Sequence, residues 1–98
     1  MKLWIKIMSR EKIIMDTVAE GRADTAQQLH FLLTNACDKL NCPTPLVTRT
    51  DADNLQKFNH IKYRPQDFVE KVDFDYLEAV HLTEKKKQQK NPNKMYPE

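Results

Sequence analysis

Apolar and polar residues alternate from the second position on. Leu3, Ile5 and Ile7 fall on one side of an extended segment 2–8, with Lys2, Trp4, Lys6 and Met8 on the other, which predicts a strand. The polar quartet Ser9-Arg10-Glu11-Lys12 predicts a hairpin loop, and residues 13–20 a second strand. The buried face of that strand stays open. Ile14 and Val18 share a side with Asp16, Ile13 and Met15 share one with Thr17 and Ala19, and a one-residue slip exchanges the two.

After a linker at Gly21-Arg22-Ala23 the period changes. Ala26, Leu29, Leu32, Leu33, Ala36, Cys37 and Leu40 fall within an arc of about 140° on a helical wheel. Asp24 or Thr25 is placed to cap this helix, and Asp24-x-x-Gln27 has the form of a capping box. Pro43 and Pro45 end it near Asn41. Residues 46–48 predict a short strand, 51–58 a short helix capped by Thr50 or Asp51, and 65–70 a second short helix opened by Pro65. Residues 59–64 read equally as strand or loop, and 76–82 as a last strand. The expected order is β-β-α-β-(short α)-(short α)-β. It implies an α+β domain over residues 1–82, with one long helix on one face of a three- to four-stranded, mainly antiparallel sheet.

Charge changes how the rest is read. The 98 residues carry a formal net charge of +2, but residues 83–98 hold five lysines against two glutamates. The expected body is therefore slightly acidic, and residues 83–98 read as a disordered basic tail. No apolar run approaches the roughly 18–20 residues of a membrane span, and the apolar start is too short for a signal-peptide core. Two cysteines without an export signal point to the cytoplasm.

Most site chemistries find no pattern to rest on. A single glycine, Gly21, excludes the Walker A and dinucleotide loops, which need several so that backbone N–H groups can approach phosphate. Cys37 and Cys42, five apart, lack metal-knuckle spacing and would point about 140° apart on a continuous helix. His30, His60 and His81 are scattered, so neither a metal, a cofactor nor a catalytic set is assigned. Asp51-Ala52-Asp53 lacks the later ligands and the glycine of a calcium loop. Asp73 and Asp75 share one side of an extended chain, where solvated carboxylates are ordinary and acid–base catalysis is the outside reading.

Two surfaces remain. If residues 57–64 are extended, His60, Lys62 and Arg64 line one face with Ile61 and Tyr63 opposite, a pattern suited to nucleic acid or another polyanion together with the lysine tail. Trp4, Met8, Phe31 and Tyr63 are more large apolar groups than one helix covers. They mark either an intramolecular contact, with residues 51–70 as the cover over Trp4, or anchors for a protein partner or a second copy. A non-enzymatic interaction or self-association module is the leading expectation, and polyanion binding the alternative.

The segments Trp4-Ile5-Lys6-Ile7 and Asp67-Phe68-Val69-Glu70-x-x-Asp73-Phe74-Asp75-Tyr76-Leu77-Glu78 resemble a family of short uncharacterised bacterial proteins. The likeness runs over about residues 3–78. It implies a compact cytoplasmic domain and no particular chemistry.

Overall fold

The computed structural model of the chain describes residues 1–82; the expected disordered tail at 83–98 lies outside them. Strands β1 (Lys2–Ser9) and β2 (Lys12–Glu20) form a hairpin, followed by helices α1 (Ala26–Leu40) and α2 (Arg49–Phe58). Strand β3 (His60–Tyr63), a 3₁₀ turn (Pro65–Asp67) and strand β4 (Tyr76–Leu82) complete the fold. The sheet is antiparallel throughout, in the order β2-β1-β4-β3. An α+β domain with a four-stranded sheet is thus the observed class.

The alternation in β1 works as expected. Leu3, Ile5 and Ile7 are buried, and from β4 and β3 they are joined by Leu77, Ala79, Ile61 and Tyr63. The helices lie on this face, α1 packed at β2 and α2 at β3, so the connection from β2 to β3 spans the sheet from edge to edge. The predicted arc of α1 supplies Leu29, Leu32, Leu33, Ala36, Cys37 and Leu40 to the core. A Cβ at Gly21 would stand 2.8 Å from Leu32 Cδ2, so any larger residue there needs the buried Leu32 side chain to shift.

Several local expectations need correction. Residues 46–48 form no strand, because Pro43 and Pro45 remove alternate N–H donors just before them and Thr48 is committed to a helix cap. The fourth strand is β3 instead, after the short helix. The Thr48 hydroxyl accepts from Asp51 N–H while the Asp51 carboxylate accepts from Thr48 N–H, so α2 begins two residues before its expected start. The α1 cap is Thr25, one of the two residues expected, which accepts from Gln28 N–H, while the partner in the box is Gln28 and not Gln27: its Oε1 accepts from Asp24 N–H. The helical piece at 65–70 shrinks to the 3₁₀ turn.

The hairpin loop is tighter than the polar quartet suggested. Ser9 and Lys12 pair, leaving Arg10 and Glu11 as a two-residue turn with φ of 54° and 66°. Both stand in the left-handed region without being glycine, the geometry of a type I′ turn. Asp75 braces them: its N–H donates to Met8 C=O and its carboxylate accepts from Arg10 N–H, both at 2.8–2.9 Å.

Candidate functional site: the outer sheet face and the β2 edge

The face of the sheet away from the helices is arranged in rows. Cross-strand register puts Val18, Trp4, Val80 and His60 in one row across β2, β1, β4 and β3. The next row reads Asp16, Lys6, Glu78 and Lys62, alternating in sign from edge to edge, and the third Ile13, Met8 and Tyr76. A charge ladder therefore runs between two apolar bands.

The ladder is tightly knit. Lys6 Nζ lies 3.3 Å from Glu78 Oε1, and both side chains are only 15% exposed. The same ammonium sits 4.4 Å from the centre of the Trp4 ring, whose Nε1 donates to Asp16 Oδ2 at 2.8 Å. Lys62 stacks over Tyr76 at 4.7 Å. Trp4 and Met8 are accordingly half-buried by their own neighbours. Residues 51–70 do not cover Trp4: Ala52, Leu55 and Phe68 enter the core on the opposite face.

The four expected apolar anchors are not brought together. Tyr63 is 2% exposed and points into the core, which removes it as a docking residue. Phe31 is 65% exposed, as its place opposite the apolar arc implies, but it belongs to the helix side of the molecule. It rims a groove of about 580 Å³ between the outer flank of α1 and the end of β2, lined also by Glu20, Gly21, Gln28, Leu32 and Asn35.

Sequence reasoning missed the edge. Along β2, Ile13, Ile14, Met15 and Val18 are all exposed, on both sides of the sheet. A bulge opposite Ile7 makes Ile14 an extra residue, so Ile14 and Met15 both border the helix-side depression that holds Val72 and Phe74, while Ile13 and Val18 stay on the outer face. The question of the buried face thus has a split answer. The signal was the run Ile13-Ile14-Met15, which fits neither face of a regular strand. The bond from Gly21 N–H to Met1 C=O continues the β1–β2 ladder. By alternation the backbone groups of Asp16, Val18 and Glu20 point away from β1 into the open edge.

His60, Lys62 and Arg64 are all exposed at the opposite edge, as the extended reading predicts. Lys62 stacks on Tyr76 and stands across the strands from Glu78, and Asp51 borders the same depression. That lowers the positive potential available to a phosphate.

A thiol pair also emerges. Asn41 takes the left-handed conformation, its N–H bonding Asp38 C=O and that of Cys42 bonding Cys37 C=O at 3.0 Å, which is a Schellman cap. The chain reverses there and returns Cys42 to Cys37, so the continuous-helix angle does not apply. The thiol interaction holds the proton on Cys37, and burial pushes that thiol further up; the same interaction draws Cys42 down. The pair borders a polar depression with Asp38 and Glu70. Among the described residues no three His, Cys, Asp or Glu side chains are grouped to hold a metal ion, and no helix is long and apolar enough to cross a membrane.

No family model matches the chain, and neither a curated protein nor a solved structure does.

Proposed function

We propose that the protein is a small, non-enzymatic, cytoplasmic interaction module that docks on protein through the β2 edge of its sheet. The observation that carries this reading is the exposure of Ile13, Ile14, Met15 and Val18 on both sides of a nine-residue edge strand. Protected edges carry charge or proline and stay short. Here the one charge inside the run, Asp16, is tied to Trp4. An added strand would gain backbone bonds along the edge and apolar contacts on both faces, the economy of β-strand addition.

A photoreactive residue placed at position 14 or 18 of the full chain, in cells, is expected to give a discrete protein adduct. The same residue at Val69, exposed on the 67–75 loop, should give none. Failure at both β2 positions overturns the proposal. Nucleic-acid retention that survives removal of residues 83–98 and is lost on replacing His60, Lys62 and Arg64 by alanine would transfer the function to the β3 edge.

A further inference from the structure

Building on that reading of the edge, we infer that the occupant of the β2 edge is a second copy of this chain, paired antiparallel about a two-fold axis at Thr17. Charge selects the register, and hydrogen bonding and shape are compatible with it.

A symmetric pair centred on Asp16 sets two aspartates directly opposite, and one centred on Val18 sets Asp16 against Glu20; like charges facing across strands are destabilising. Centring on Met15 runs into the bulge at Ile14 and mismatches the two faces. With Thr17 on the axis, Asp16 faces Val18 and Met15 faces Ala19, and no like-charged pair falls within the two strands Lys12–Glu20. The Lys12 end of each strand then lies alongside the Glu20 end of the other.

Hydrogen bonding fits that register. Thr17 bonds toward β1, so it forms a close non-hydrogen-bonded pair with its symmetry mate. Asp16 and Val18, whose backbone groups point outward, become a reciprocal hydrogen-bonded pair on each side of the axis. Eight strands then run as one continuous sheet.

Shape fits it too. The first half of β2 carries uncovered helix-side groups, Ile14 at 54% and Met15 at 45% exposure. The far end of the strand, at Glu20, borders the groove rimmed by Phe31 and Leu32. The two-fold exchanges the halves. Met15 of each copy lands beside Ala19 of the other, and Ile14 falls opposite Glu20 at the mouth of the groove under Phe31. Knob and hole lie on one strand, as an interface between identical copies requires.

The test uses the full chain with Cys42→Ser, which leaves only the buried Cys37 thiol. Sedimentation equilibrium is expected to give a dimer, and Val18→Lys a folded monomer by circular dichroism. Thr17→Cys should cross-link nearly completely under mild oxidation, since close non-hydrogen-bonded pairs bring Cα atoms within disulfide reach. Asp16→Cys alone should cross-link at least tenfold more slowly. A dimer in which Asp16→Cys links and Thr17→Cys does not overturns the register. A chain that stays monomeric at millimolar concentration, with no cross-link, overturns the second copy as occupant. If photo-adducts at positions 14 and 18 then still form with a different protein, the interaction reading survives and only this inference falls.

Discussion

Tyr63 takes its ring into the core and its hydroxyl with it, and among the described residues that oxygen has no partner within hydrogen-bond distance, Asp51 being its nearest acidic neighbour in effect. A buried hydroxyl without a partner has lost water and gained nothing in return. Tyr63→Phe is therefore expected to raise stability by about 1 kcal/mol in urea unfolding, against the usual loss when a bonded tyrosine is truncated. The same burial, helped by the negative charges of Asp51 and Asp67, pushes the phenol pKa upward. Below about pH 10 the phenol is protonated in both states and its contribution is complete. Above that the unfolded chain releases the proton and the folded one retains it, so stability falls as pH rises. The phenylalanine variant should show a shallower alkaline decline. Arg10 and Glu11 are a second case of local cost, since two β-carbons are held in left-handed backbone. Arg10→Asn with Glu11→Gly, which keeps the Arg10 N–H bond to Asp75 as a backbone bond, should stabilise the fold by about 1–2 kcal/mol in thermal unfolding.

Between strands, the ladder Asp16–Lys6–Glu78–Lys62 sets the behaviour of the sheet. Lys6 lies between two carboxylates under the Trp4 ring, and Lys6→Met would leave Glu78 facing an apolar neighbour with little water to replace its partner. That substitution should cost about 1–2 kcal/mol, and the double variant Lys6→Met/Glu78→Met should cost less than the sum of the single changes by about 1 kcal/mol. A double-mutant cycle in urea measures it, and additive costs would deny the coupling. The elements that make these rows were legible where one face is buried. β1, α1 and β4 declare themselves by period because each has a continuous apolar side. The segment 46–48 did not, because an apolar pair after prolines reads like a strand whether or not a partner strand is present. Of the two caps expected for α1 the chain uses Thr25, whereas that of α2 moves to Thr48, two residues before Thr50: both have capping neighbours, and only the folded chain shows which hydroxyl meets a free N–H.

At the scale of the whole molecule, the candidate site was only partly visible in the chain. Trp4 and Met8 were correctly separated from the core side of β1, and His60, Lys62 and Arg64 were correctly set on one face. Tyr63 was miscast because one helix was expected to cover too few of the large apolar groups, whereas two helices on one face of the sheet leave it inside. The β2 edge escaped notice because exposure there depends on strand order. Had β2 been interior, the same Ile13-Ile14-Met15 run would be core. The meeting of Cys37 and Cys42 escaped for a similar reason, since it is made by the chain reversal at Asn41 and not by the helix.

The strand order β2-β1-β4-β3 also sets a timetable. β1 is an interior strand whose second neighbour is β4, so Lys2 does not meet Leu82 until some 80 residues have been synthesised. At roughly 5–20 residues per second, the hairpin waits several seconds with Leu3, Ile5 and Ile7 uncovered and two open edges. A two-stranded ribbon is marginal on its own, and the strained turn at Arg10 and Glu11 weakens it further. The ribbon therefore reaches full support only once β4 has emerged and paired with β1.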